Sequence, residues 1–62
     1  MKVIFRNKLY SFSYRLKVKE LMKNLNLSSE EFLVVVNGKL VTEDEVIPED
    51  AEVKIIPVVS GG

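Results

Sequence analysis

"EVKIIPVVSGG", residues 52–62, runs an apolar strand straight into two glycines. Val53 and Ile55 alternate with Lys54 and Ile56, the period-two pattern of a strand with two unlike faces. Pro57 has no N–H to give to a ladder, so it belongs near the strand end or where no donor is needed. Glycine loses more conformational freedom on ordering than any other residue. Gly61 and Gly62 therefore add nothing to a core. The segment reads as a last strand, Glu52 to Val59, that ends in a mobile tail.

The preceding residues supply partners for that strand. Phe32 to Val36 is dense in β-formers, and Asn37-Gly38 is the strongest hairpin-turn signal in the chain. Lys39-Leu40-Val41 returns as a short strand. Thr42 to Glu45 reads as an acidic connection, and Ile47-Pro48-Glu49-Asp50 as a turn. Val18, Leu21, Met22 and Leu25 fall at helical spacing, which predicts an amphipathic helix over 18–26. Its start has Leu16 and Lys17 where a capping Ser, Thr, Asp or Asn is usual, and Asn26 is its stop. Ser28 to Glu31 forms a polar loop or single turn. Residues 1–14 read as a hairpin with Asn7-Lys8 as the turn, Phe5 opposite Tyr10. Met1, Val3, Phe5, Tyr10, Phe12 and Tyr14 then share one face, and Lys2, Ile4, Arg6, Leu9, Ser11 and Ser13 the other.

The predicted order is ββαβββ, an α+β fold with four to five strands in a mixed sheet and one helix on one face. The first and last strands pair in parallel at the sheet centre, and the helix crosses between the halves. This is the β-grasp arrangement. Residues 1–58 form a single domain and residues 59–62 a flexible C-terminal tail. Val3, Phe5, Val18, Leu21, Val34, Val36, Val41, Val53 and Ile55 form the expected core. The open face is expected to show Ile4, Val35, Ile56 and Val58, bordered by Lys2, Arg6 and Lys54, an apolar patch of the kind that marks a partner-docking site.

Composition narrows the chemistry. The chain has 62 residues, 47% of them hydrophobic, with no cysteine and no histidine. A chain this short buries only about 60% of its unfolded surface, so its core must be dense. Disulfides are excluded and a structural zinc site nearly so. There is no imidazole base, no thiolate, no phosphate loop and no nucleotide fingerprint. Ser28 and Ser60 have no partner base, and the paired carboxylates fall in solvated loops. The chain is not expected to be an enzyme by itself, nor to hold a tightly bound cofactor or a metal. No secretory signal and no membrane-length apolar run is visible, which points to the cytoplasm. Residues 1–27 carry seven basic side chains against Glu20, and residues 28–62 carry Lys39 and Lys54 against eight carboxylates. This asymmetry is either a mixed, soluble surface or a polarised one that steers a partner. Few aromatics and dispersed basic residues argue against nucleic acid.

One reactive group remains, the terminal carboxylate of Gly62, ionised at neutral pH with an ordinary pKa of about 3.5. It is an oxygen nucleophile suited to the α-phosphate of ATP on a separate enzyme. A sulfur or amine nucleophile can then displace AMP from the acyl-adenylate. Two glycines without side chains suit a narrow channel. An inert end on a plain interaction domain is the alternative.

The opening strand "MKVIFRN", the helix "VKELMKNL", the turn "VVVNGKLV" and the ending "EVKIIPVVSGG" resemble the ThiS/MoaD family of small ubiquitin-like sulfur carriers, over the whole chain. Its length and ending look more like ThiS than MoaD. The resemblance implies that a ubiquitin-activating-type adenylyltransferase, using ATP, activates Gly62 within the tail Ser60-Gly61-Gly62. It also implies a thiocarboxylate that a synthase accepts as sulfur for the thiazole of thiamin. Delivery to molybdopterin, as in MoaD, or joining of Gly62 to protein lysines, as in some archaeal relatives, are the alternatives the resemblance leaves open. Lys17 stands where relatives often have Thr or Ser, and Asp50-Ala51 where many have Gly-Asp.

Overall fold

Backbone pairing orders the described part of the chain, residues 1–58 of the computed structural model, around one mixed sheet. The elements are β1 (Lys2–Phe5), β2 (Lys8–Ser11), β3 (Leu16–Lys17), α1 (Val18–Asn24), β4 (Phe32–Val36), β5 (Lys39–Val41), β6 (Val46–Ile47) and β7 (Glu52–Pro57). Five strands form the sheet in the order β2-β1-β7-β4-β5, and β3 and β6 form a separate two-stranded ribbon. β1 and β7 run parallel at the centre, with Val3 level with Val53, and the other pairs are antiparallel. The helix packs on one face, so the fold is the expected α+β β-grasp.

The first hairpin turns one residue earlier than the sequence reading places it. Arg6 and Asn7 are the turn residues, both at positive φ (50° and 65°), as a type I′ turn requires. Phe5 therefore faces Lys8 and Val3 faces Tyr10. The register moves by two residues, and a shift of two keeps each side chain on its own face. Met1, Val3 and Phe5 accordingly stay buried. β2 ends at Ser11, and Tyr14 is exposed. Asn37-Gly38 forms the second turn as expected, at φ 51° and 82°.

The helix lacks a capping side chain because other residues satisfy its first donors. Val18 and Lys19 N–H groups donate to the carbonyls of Glu45 and Glu43 at 2.9 and 3.1 Å. The acidic connection thus caps the helix with its backbone. Glu20 Oε1 accepts from the Lys17 N–H at 3.1 Å, the acidic half of a capping box. Helical structure ends at Asn24, earlier than expected, and Asn26 takes the left-handed conformation (φ 58°). Leu27 N–H bonds to the Met22 carbonyl and Asn26 N–H to that of Lys23, a Schellman stop.

The core contains the expected residues except Val41, which packs against it half-buried. It also contains Met1, Leu16, Met22, Phe32, Ile47 and Ala51. Ile47 was expected in a turn. It instead pairs with Leu16 in the small ribbon and is buried. The turn begins one residue later, closed by the Ala51 N–H on the Pro48 carbonyl. Phe5 and Phe32 meet edge-to-face at 5.3 Å between centroids. The charge asymmetry is little neutralised internally. Among the described residues one ion pair forms, Lys19 with Asp44 at 4.0 Å, both exposed.

Candidate functional site: the open sheet face and the tail exit

Alternation along each strand leaves one sheet face without a helix. On β7, Val53 and Ile55 turn inward, and Lys54 and Ile56 outward. The register then fixes what stands beside them. Lys54 is level with Ile4 on β1 and with Val35 on β4. Ile4 is level with Leu9 on β2, and Val35 with Leu40 on β5. Leu9, Ile4, Lys54, Val35 and Leu40 therefore form one row across all five strands. At about 4.8 Å between strands, the row is about 19 Å long. Ile56 and Leu33 make a second pair beside it.

The structure places the expected docking residues Ile4, Val35, Lys54 and Ile56 together on this face. Lys54 lies at the middle of the row rather than on its border. Val58, just past β7, is exposed, and its N–H donates to the Glu31 carbonyl at 2.8 Å. Arg6 does not border the open face. Its guanidinium lies 5.0 Å from the Phe5 ring centre and 5.8 Å from that of Phe32, both core residues. The positive φ of the turn carries the side chain to the helix side of the sheet.

Leu9, Leu33 and Leu40 are exposed members of the face that the sequence reading did not assign to docking. Leu40 was accessible to inference, because Asn37-Gly38 places it opposite Val35. A shallow depression of about 270 Å³ opens on this face between Lys2, Ile4, Leu9, Val35, Gly38 and Lys54. Lys2 and Glu52 stand level at one end of it.

β7 leads out of the sheet at Pro57, opposite Phe32. Pro57 ends the strand, where its missing N–H costs no ladder bond. The three tail residues singled out from sequence, Ser60, Gly61 and Gly62, lie outside the described residues. Among the described residues no group of three His, Cys, Asp or Glu side chains is arranged to hold a metal ion, and no helix is long and apolar enough to cross a membrane. The candidate site on the described residues is the exposed, largely apolar sheet face. A family model described as the ThiS family matches residues 4–62.

Proposed function

The chain belongs to the ThiS family of small ubiquitin-like sulfur carriers, and from this we propose that its cargo is carried on the Gly62 carboxylate. A separate ubiquitin-activating-type enzyme binds ATP and the carrier. A Gly62 carboxylate oxygen attacks the α-phosphate, pyrophosphate leaves, and an acyl-adenylate forms. A hydrosulfide-level sulfur nucleophile then attacks the acyl carbon and AMP leaves, which gives the thiocarboxylate directly. A persulfide donor gives an acyl disulfide instead, whose S–S bond a thiol reductant must cleave with two electrons. A synthase accepts that sulfur, with the thiazole of thiamin as its destination. The carrier holds no cofactor of its own, and ATP belongs to the partner.

One observation carries this reading: the family match runs through Gly61 and Gly62. The central strand β7 supports it, because it is the last element among the described residues and the sequence runs on from it to Gly62. Docking falls to Ile4, Val35, Ile56, Val58 and Lys54. Ile4 on β1, Val35 on β4 and Ile56 on β7 give the partner an apolar surface around Lys54, and the chain runs on from β7 toward the reacting carboxylate.

Intact mass spectrometry of the protein isolated from its own host, without reducing or acid treatment, tests the reading. Sulfur in place of one oxygen at Gly62 is the expected result. An unmodified mass together with lysines of other proteins carrying the tryptic C-terminal remnant that follows Lys54, Ile55 to Gly62, would replace the carrier with a protein modifier.

A further inference from the structure

A cation at the centre of an apolar row poses a specific problem. Lys54 has Ile4 on one side and Val35 on the other, with Leu9 and Leu40 at the ends of the row. Among the described residues it has no carboxylate within ion-pair distance. Glu52, two residues back on the same face, lines the same depression but stands level with Lys2 and forms no ion pair with Lys54. In the free protein the aliphatic stem of Lys54 can lie along its apolar neighbours while the ammonium stays in water. A flat apolar partner laid over the row would strip that water, and an ammonium buried without a partner is strongly disfavoured.

On the proposed docking reading, we infer that the activating partner presents one carboxylate, ringed by apolar side chains, that pairs with Lys54 in the depression on the open face. The occupant is an acidic side chain of a partner protein, and Lys54 is a specificity residue for it. Partners whose apolar surface lacks a carboxylate at that point are rejected by the uncompensated charge. The same charge disfavours a second copy of this chain. A face-to-face dimer with its two-fold axis at the row would bring Lys54 against its own copy.

The test is the affinity of the full chain for its adenylating enzyme, measured by calorimetric titration for wild type and for Lys54→Arg, Lys54→Met, Lys54→Gln and Ile56→Glu. Circular dichroism checks each fold, and Lys54→Gln serves should Lys54→Met aggregate. Lys54→Arg is expected to bind within a few-fold of wild type. Lys54→Met is expected to lose roughly 30-fold or more, because it leaves the partner's carboxylate buried and alone. Carbodiimide cross-linking of the wild-type complex, which joins an amine directly to a touching carboxylate, is expected to link Lys54 to an Asp or Glu of the enzyme. If Lys54→Met and Lys54→Gln bind as tightly as wild type while Ile56→Glu does not, the inference about Lys54 falls and the docking face stands. If all of these variants bind like wild type, the docking face itself is wrong, and the inference falls with it.

Discussion

Asn37 and Glu52 are joined by two hydrogen bonds. The Asn37 N–H donates to the Glu52 carbonyl at 2.8 Å, and the Glu52 N–H donates to Asn37 Oδ1 at 3.0 Å. The β4–β5 turn is thereby tied to the first residue of β7. The tie helps set the level at which Lys54 meets Val35 two residues further along. Asn37 also has to hold φ at 51°. Asn37→Gly keeps that conformation and loses the side-chain acceptor, so it should cost about 1 kcal/mol. Asn37→Ala loses both and should cost about 1 kcal/mol more. Urea unfolding of the two variants separates the contributions.

Gly38 presents the complementary case. Its φ is 82°, and a Cβ built there meets nothing within 4 Å. The cost of Gly38→Ala is therefore conformational, about 1–2 kcal/mol. Gly38→Asn should cost less, since Asn tolerates the left-handed region. Equal destabilisation by Ala and Asn in thermal melts would show that something other than backbone conformation governs the site.

Ile47 belongs to a strand of only two residues, yet it is 1% exposed and among the largest fully buried side chains. Ile47→Ala should cost about 2–5 kcal/mol, as core truncations do. Val46→Ala, its exposed neighbour, should change stability by no more than about 0.5 kcal/mol. Denaturant midpoints measured side by side check both values.

Ile56 is 43% exposed on the open face. Ile56→Glu should leave the circular dichroism spectrum and thermal midpoint close to wild type and weaken activation by the adenylating enzyme. ATP–pyrophosphate exchange driven by the carrier measures that activation. Unchanged exchange at subsaturating carrier would remove Ile56 from the docking surface.

Where local chemistry sets the structure, the sequence was legible. Asn37-Gly38 names its own turn, and the spacing of Val18, Leu21 and Met22 names the buried side of the helix. The first hairpin was harder because neither Arg6-Asn7 nor Asn7-Lys8 contains the glycine that marks a type I′ turn. Within the paired residues its faces were nonetheless right, since a shift of two leaves alternation untouched, but Arg6 in the turn and Tyr14 beyond β2 leave the faces expected of them. Leu16 and Ile47 escaped because two-residue strands have no periodicity to read. The missing helix cap at Lys17 has its explanation far along the chain, in the carbonyls of Glu43 and Glu45. The row through Lys54 is likewise a product of register. Each hairpin by itself offers Leu9 beside Ile4 or Leu40 beside Val35, and only the pairing of β7 with both β1 and β4 joins them into one row. The tail residues Ser60 to Gly62 lie outside the described residues.

The parallel pairing of β1 with β7 has a kinetic meaning. Ile4 and Lys54 come together only by closing a loop that spans nearly the whole domain, and such non-local pairing slows folding. The central strand should therefore be among the last parts to acquire native contacts. The row proposed for docking draws one residue from each of five strands, so it cannot survive partial unfolding. An adenylating enzyme that grips this row would spend ATP only on molecules that have finished folding, and recognition would double as quality control.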